Sequence, residues 1–157
     1  MQKIRPFLWF DSNAEEAVNF YTSIFKNSKI VNTMLCGDAG PGPKGTILTI
    51  AFELEGHEFI ALNGGTQFQF TPAISFFVNC ETQEEVDELW EKLSSQGELQ
   101  GCGWVKDKFG ISWQIIPSAL IDMLQDDDPQ KSARVMKAML QMEKIDTQAL
   151  QRAYNQQ

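Results

Sequence analysis

The chain has 157 residues, 43% hydrophobic and 22% charged, with a net charge of −8, which is typical of a globular protein with its own core. The excess of acids argues against nucleic acid and anionic membrane surfaces as partners, because both attract basic groups. The three cysteines are not closely spaced and form no CxxC motif, so the sequence predicts neither a disulfide framework nor a zinc cluster.

The N-terminal segment MQKIRPFLWFDSNAEE turns acidic after one short apolar run and has no signal-peptide core. No apolar run approaches the ~20 residues that a membrane span requires. We therefore expect a cytoplasmic protein with no membrane partner.

Residues 1–65 predict a strand, a helix and three further strands. The strands are expected at 4–10, Ile30–Cys36, Thr46–Glu55 and Phe59–Asn63, and the helix at Ala14–Phe25. Asp11 or Ser12 is expected to cap the helix, because both side chains can accept hydrogen bonds from its first turn. In the third strand, alternation places Thr49, Ala51 and Glu53 on one face and the large apolar residues on the other.

The same pattern returns in residues 70–117. A strand is predicted at Ala73–Asn79, a helix at Glu81–Ser95, and a hairpin that ends at Pro117. The helix sequences EEAVNFY and EEVDELW share two acids, an apolar residue and a closing aromatic residue. Two βαβββ modules in tandem are the simplest account of this repeat. The run Lys106-Asp107-Lys108 is expected at a solvated hairpin tip rather than in a ligand clamp.

Residues 118–157 predict a helical extension. Ser118 is expected to cap a first helix, residues 130–144 to form a second, and Asp146 to cap a third. The second helix carries apolar residues on one side, namely Val135, Met136, Met139, Leu140 and Met142. This stripe is expected to pack in the core or against a second subunit, although a methionine-rich interaction surface is the alternative.

Five segments together resemble the vicinal oxygen chelate superfamily, which includes glyoxalase I, bleomycin-resistance proteins and extradiol dioxygenases. They are ALNGG (61–65), PAISFFVNC (72–80), EEVDELWEKLS (84–94), GCGWVKDKFGISWQIIP (101–117) and MEKIDTQALQRAY (142–154). The closer resemblance is to its PhnB-like branch, the 3-demethylubiquinone-9 3-methyltransferase family. It implies an α+β fold in which the two modules form a curled mixed sheet around a cavity. It also implies one domain spanning 1–157 and a homodimer.

The resemblance also identifies where a metal would be bound, because the superfamily's enzymes hold a divalent ion on the first and last strands of each module. The corresponding positions here are Pro6, about Thr49, Ala73 and Gln114, and only Gln114 is a plausible ligand. Glu53, four residues from Thr49 on the same strand face, is the one other acid that a metal could use. The single histidine, His57, excludes a two-histidine site within one subunit. We therefore expect no metal. We also expect no cofactor, since the glycine-rich loop 37–45 lies between strands and does not open a helix.

Cys102 is a candidate nucleophile with Lys106 and Lys108 nearby in sequence, but the only histidine is distant. The favoured interpretation is a small buried residue between Gly101 and Gly103, where strands approach closely. Trp113 alternates with Gln114 and is expected in the core.

The residues predicted to contact a ligand lie on one mixed polar and apolar sheet face with room for a small molecule. They are Gln114, Ser75, Thr49, Glu53, Phe10, Phe77 and Trp104, with Asn63 at the lip. This face favours a metal-independent small-molecule binding protein. The alternative is an enzyme on the same fold, with Glu53 as general base in a lyase- or isomerase-type reaction, or the methyltransferase that the family name implies.

Overall fold

The computed structural model describes residues 2–157, and the chain divides into two compact units, Met1–Phe70 and Thr71–Gln157. Each unit contains one four-stranded sheet with both parallel and antiparallel strand pairs. The predicted α+β class and the two tandem βαβββ modules are confirmed. Within residues 2–157, the helices are too short and too polar to cross a bilayer.

Unit one contains the first module. Its elements are β1 (Phe7–Phe10), α1 (Ala14–Ile24), β2 (Lys29–Leu35), β3 (Ile47–Leu54) and β4 (His57–Asn63). The strand order is β1-β4-β3-β2, with β1 parallel to β4 and the other neighbours antiparallel. The sheet therefore has two edges, β1 and β2.

Unit two repeats this topology and adds three helices. Its elements are β5 (Ser75–Cys80), α2 (Gln83–Ser94), β6 (Glu98–Gly101), β7 (Trp104–Lys106), β8 (Ser112–Pro117), α3 (Ser118–Leu124), α4 (Pro129–Met139) and α5 (Thr147–Asn155). The strand order is β5-β8-β7-β6, with β5 parallel to β8.

The buried faces of both sheets follow from the alternation of their strands. In unit one, Ile50 and Phe52 of β3 are buried, as are Val18 and Tyr21 of α1. In unit two, the corresponding buried positions are Val105 of β7, Trp113 and Ile115 of β8, and Val86 and Trp90 of α2. The predicted core position of Trp113 is confirmed.

The two module helices begin in different ways. Thr82 caps α2, because its hydroxyl accepts a hydrogen bond from the Glu85 backbone at 3.1 Å. Neither Asp11 nor Ser12 caps α1, so that prediction is wrong. Instead, the side-chain oxygen of Asn63, at the end of β4, accepts a hydrogen bond from the Ala14 backbone at 2.9 Å.

Asp107 organises the β7–β8 turn. Its carboxylate accepts hydrogen bonds from the Phe109 and Ile111 backbones at 2.8 and 3.1 Å, and from the Trp113 indole at 2.8 Å. Only 2% of Asp107 is exposed, so the predicted solvated tip is wrong at this residue. The carboxylate is buried because three N–H groups replace the water that it loses.

The Gly-Cys-Gly turn between β6 and β7 binds the segment that follows α4. Gly101, Cys102 and Gly103 all have positive φ, at 86°, 54° and 85°. This conformation lets the backbone of Cys102 donate to Met142 and that of Gly103 donate to Glu143, both at 2.8 Å. The bound segment lies beyond helix α4, which ends at Met139, short of the predicted residue 144.

Helix α2 binds the same segment from another side. The Gln83 side chain donates to the Ile145 carbonyl at 2.9 Å and accepts from the Thr147 backbone at 2.8 Å. Lys144 also forms an ion pair with Asp87 at 2.8 Å. These contacts make the predicted helical extension an integral part of unit two.

The helices α3, α4 and α5 share a small apolar core. Its buried members are Ile116, Leu120, Met123, Val135, Ile145 and Leu150. Met139 and Met142 pack against it, whereas Met136 and Leu140 are exposed, so the predicted stripe is only partly buried.

Of the two caps predicted for the C-terminal helices, one is confirmed and one is wrong. Asp146 caps α5 by accepting from the Ala149 backbone at 3.1 Å, as expected. Ser118 does not cap α3. It is the first helical residue, and its hydroxyl donates to Asn79 and Cys80 at 3.1 and 3.3 Å.

Replacing Gly103 with alanine tests the docking of the C-terminal segment. A Cβ atom at Gly103 would lie 2.8 Å from Ile116 and 3.0 Å from Ile145, whereas one at Gly101 would meet nothing within 4 Å. Both glycines have nearly the same positive φ, so Gly101→Ala is a matched control for backbone strain. We expect Gly101→Ala to cost about 1–2 kcal/mol of unfolding free energy. Gly103→Ala should cost a further ~1–3 kcal/mol through overpacking.

Chemical denaturation followed by circular dichroism gives both free energies. Equal losses in the two variants would show that the C-terminal segment does not constrain this turn.

Candidate functional site

One face of the sheet in unit two carries most of the polar groups predicted to bind a ligand. The strand register aligns Phe77, Gln114 and Trp104 in one row, and Ser75, Ser112 and Lys106 in the adjacent row. Paired residues share a sheet face, so these six side chains lie opposite the buried Trp113. We call this group the open face of unit two.

A hydrogen-bonded pair lies within this face. The Gln114 amide donates to the Ser75 hydroxyl at 2.9 Å, and both residues are half-buried. Trp104 is also half-buried, and Phe77 is 51% exposed. The arrangement therefore places a polar pair beside two aromatic side chains, one of which presents much of its surface to solvent.

Unit one brings two further predicted residues together. Thr49 and Glu53 share a face of β3, where the register aligns Thr49 with Leu62 and Trp9. Glu53 lies opposite Glu58, a like-charge pair. The repulsion is offset because Glu53 has an ion pair with Lys29 at 3.8 Å and Glu58 one with Arg5 at 2.8 Å. We call this surface the open face of unit one.

Phe10 does not belong to that face, so its predicted placement is wrong. The register aligns Leu8 with Ala61 and Ile50, which are buried, and Phe10 lies two residues further along β1. Only 2% of Phe10 is exposed. Phe10 is therefore part of the core of unit one, where its ring contacts Phe70 at a centroid distance of 5.1 Å.

Asn63 is likewise not at a ligand-binding lip. It pairs with Phe10 in the register, and its amide donates to the Ile47 carbonyl at 3.1 Å while its oxygen accepts from Ala14. Both ends of the side chain are engaged within unit one. Asn63 therefore joins β4 to the start of α1 instead of presenting a free amide.

Trp9 is the residue that the alternation argument missed. It takes the place on the open face of unit one that had been assigned to Phe10, and its indole donates to the Gly65 carbonyl at 2.9 Å. A Cβ atom at Gly64 would clash with the Trp9 ring, and Gly65 has a positive φ of 96°, so each glycine of ALNGG has its own reason. The signal in the sequence was the pair Gly64-Gly65, because adjacent glycines indicate that a large side chain approaches the backbone closely.

The side chains within each unit do not fit the divalent metal of the superfamily's enzymes. Thr49 was the position predicted to correspond to a metal ligand on the last strand of the first module. That strand is β4, and its residues Ile60 and Leu62 on the open face are apolar. In unit two Gln114 could offer its amide oxygen, but the side chains that share its face, Ser75, Ser112, Lys106, Phe77 and Trp104, include no carboxylate or imidazole to complete a site. Among residues 2–157, no three His, Cys, Asp or Glu side chains cluster as metal ligands.

The cysteines are poorly suited to nucleophilic chemistry. Burial, together with a smaller effect of the Glu85 charge, raises the pKa of the Cys80 thiol to about 12, so the thiol stays protonated at neutral pH. Cys36 is also buried. Cys102 is half-buried in the Gly-Cys-Gly turn, where its backbone binds Met142.

A groove of about 390 Å³ lies on the C-terminal helices, away from the predicted site residues. It is lined by Ala119, Asp122, Met123, Asp126, Gln151 and Tyr154. The Tyr154 hydroxyl donates to Asp126 at 2.6 Å, which lowers the pKa of Asp126 and raises that of Tyr154. Because these two polar groups are bonded to each other, the groove has fewer polar groups left to bind a ligand than its volume indicates.

Two tandem βαβββ modules with mixed four-stranded sheets define a protein of the vicinal oxygen chelate superfamily. More specifically, the chain belongs to the 3-demethylubiquinone-9 3-methyltransferase family, whose model matches residues 2–116. The match ends where the C-terminal helices begin.

Solved structures agree with this assignment. The PhnB protein of Bacillus cereus is 42% identical, with 74% of this chain and 100% of that chain covered at a TM-score of 0.68. Protein PA1353 of Pseudomonas aeruginosa is 20% identical, with 74% and 98% covered at 0.63. The fosfomycin resistance protein FosX of Listeria monocytogenes is 18% identical, with 75% and 93% covered at 0.50. The last two support the fold alone. No curated protein matches the chain.

Truncating two phenylalanines separates the core from the open face. We expect Phe10→Ala to cost about 3–5 kcal/mol of unfolding free energy, because it empties a buried position. Phe77→Ala removes the same atoms from a half-exposed position and should cost less than about 1 kcal/mol.

Urea denaturation measures both changes in free energy. A Phe77→Ala loss as large as that of Phe10→Ala would mean that Phe77 is a core residue and not part of an open face.

Proposed function

We propose that the protein is a metal-independent small-molecule binding protein whose ligand contacts the open face of unit two. The observation that carries this proposal is the Gln114–Ser75 hydrogen bond on a half-buried sheet face beside Trp104 and Phe77. Ligand sites in proteins combine apolar walls with a few fixed polar groups, and this face has both.

The polar pair can orient a ligand because its hydrogen-bonding capacity is only partly used. The bond to Ser75 takes one N–H of the Gln114 amide, leaving its second N–H and its oxygen for a ligand. Trp104 and Phe77 lie on either side of Gln114 in the same row and offer flat apolar contact. A small aromatic or carbonyl compound matches this combination.

Thr49 and Glu53 stay predicted ligand contacts on the open face of unit one. Their neighbours Trp9 and Leu62 would add apolar surface there. The cytoplasmic location likewise stays a prediction.

The enzymatic alternatives have less support. Glu53 is a candidate general base, but its carboxylate already forms an ion pair with Lys29 at 3.8 Å. The methyltransferase named by the family would need a site for its methyl donor. The glycine-rich loop 37–45 joins β2 to β3 and so does not provide the strand-to-helix turn that binds such donors in doubly wound folds. We therefore propose binding rather than catalysis.

Replacing Gln114 with leucine tests the proposed orienting role. With 4-fluorobenzamide as a neutral flat probe, we expect Gln114→Leu to weaken binding roughly tenfold, equivalent to about 1.4 kcal/mol. The variant keeps the side-chain volume but loses the amide. Affinity is measured by fluorine NMR titration of the full chain.

Gln130→Leu is the matched control, because the same change is made at an exposed position at the start of α4. It should leave the affinity unchanged. Absence of probe binding to the wild-type protein, or equal effects of the two variants, would refute the proposed site.

We also propose that the protein is a homodimer in which β2 contributes to the interface. All seven residues of β2 are exposed, including Ile30, Val31, Met34 and Leu35, and the strand lies at a sheet edge. Exposed apolar edge strands invite pairing with another chain, and a second copy is the simplest partner.

Introducing a lysine into this edge should dissociate the dimer. We expect Val31→Lys to raise the dimer dissociation constant at least tenfold in sedimentation equilibrium, since charged side chains block edge pairing. Leu99→Lys is the control, because Leu99 is similarly exposed on β6, the edge strand of unit two. A monomeric wild-type protein, or dissociation by Leu99→Lys alone, would contradict this interface.

A further inference from the structure

Ser112 is a buried polar residue without a partner. Only 1% of the residue is exposed, and its hydroxyl forms no hydrogen bond in the structure. An unpaired buried hydroxyl is costly, so its presence calls for an explanation. Its position supplies one, because Ser112 shares the open face of unit two with Ser75 and Lys106, and a movement of the longer Lys106 side chain would uncover the Ser112 hydroxyl for a ligand.

The groups around Ser112 have several hydrogen-bond donors that no other residue uses. Ser75 accepts from Gln114, so its own hydroxyl hydrogen remains to be donated. Gln114 has a second N–H, and Ser112 can donate its hydroxyl hydrogen. These donors lie on the neighbouring strands β5 and β8, in two adjacent rows of the register. A ligand group that accepts several hydrogen bonds would satisfy them together.

Lys106 adds a positive charge to the same row. It lies directly opposite Ser112, where cross-strand Cβ atoms are about 4.5–5.5 Å apart. Its contact with Glu98 is long, at 3.7 Å, and the Glu98 side chain is 72% exposed. The ion pair is weak because water screens it, so the flexible Lys106 side chain is able to turn towards a ligand.

We propose that the open face of unit two binds a carboxylate-bearing ligand with a flat apolar body. The carboxylate accepts from Ser112, Ser75 and Gln114 and pairs with Lys106, and the body lies against Trp104 and Phe77. This inference rests on the proposed binding function and adds the charge of the ligand to it. An anion is favoured despite the net charge of −8 and the presence of Glu98 beside Lys106, because charge-assisted hydrogen bonds from several donors are stronger than those to a neutral group.

Two probes with the same ring isolate the effect of charge. The full chain is titrated with 4-fluorobenzoate and 4-fluorobenzamide, and each dissociation constant is measured by fluorine NMR. We expect the benzoate to bind roughly tenfold more tightly, the typical gain from a charge-assisted hydrogen bond at a partly exposed site. Added salt should weaken the benzoate and leave the benzamide unaffected.

Two variants test the residues. Lys106→Gln should abolish the preference for benzoate, whereas Lys108→Gln, the same change at the exposed turn of the same hairpin, should preserve it. Ser112→Ala should weaken benzoate binding by about threefold or more. It should also leave the midpoint of thermal unfolding unchanged or raised, since it removes an unpaired buried hydroxyl.

The outcomes distinguish this inference from the broader proposal. Equal binding of the two probes, with Gln114→Leu weakening both, would overturn the assignment of charge and leave the binding function intact. Binding of neither probe would overturn both. A Ser112→Ala variant with lower stability and unchanged benzoate affinity would show that the hydroxyl serves the fold, which also overturns this inference.

Discussion

The buried carboxylate of Asp107 determines which way the last strand of unit two faces. It binds the Phe109 and Ile111 backbones and the Trp113 indole, and so fixes both the turn and the first residues of β8. Since side chains alternate along a strand, holding Trp113 inward forces Ser112 and Gln114 outward. A shift of one residue would exchange the two faces and bury the polar groups. The candidate site therefore depends on a residue that does not belong to it.

Each unit uses a side-chain amide to connect two of its elements, but the residue and its position differ. In unit one, Asn63 at the end of β4 binds the start of α1, whereas in unit two the α2 residue Gln83 binds the segment before α5. Each uses a side-chain amide to satisfy backbone groups at the end of an element. Unit two thereby incorporates helices that lie beyond the residues matched by the family model. Its Gly-Cys-Gly turn completes that attachment, which explains a motif that resembled a reactive cysteine site.

Local alternation was sufficient to predict the modules and the faces of their central strands. Thr49 with Glu53, and Ser75 with Phe77, share faces as predicted, because each pair lies on one strand. Phe10 was placed on the wrong face, since the orientation of the short strand β1 relative to β3 depends on its pairing with β4. That pairing joins residues more than fifty positions apart in the chain, and no local pattern encodes it.

Tertiary contacts also explain the other errors. A Lys-Asp-Lys run is typical of a solvated tip, but three converging N–H groups bury the carboxylate of Asp107. Helix α4 ends at Met139, and beyond it the carbonyl groups of Met142 and Glu143 accept hydrogen bonds from the turn at 101–103, a contact between distant segments that no local pattern encodes. The pairing of Gln114 with Ser75, and the lack of a partner for Ser112, depend on the register of three strands. The sequence therefore identified candidate residues, but it did not show which of them are hydrogen-bonded to each other and which have no partner.

A crystal structure of the full chain with 4-fluorobenzoate tests the central claim most directly. We expect the ring to lie against Trp104 and Phe77, with the carboxylate within hydrogen-bonding distance of Gln114 or Ser112. A probe bound in the groove between Asp122 and Tyr154, or anywhere else away from the open face of unit two, would contradict it.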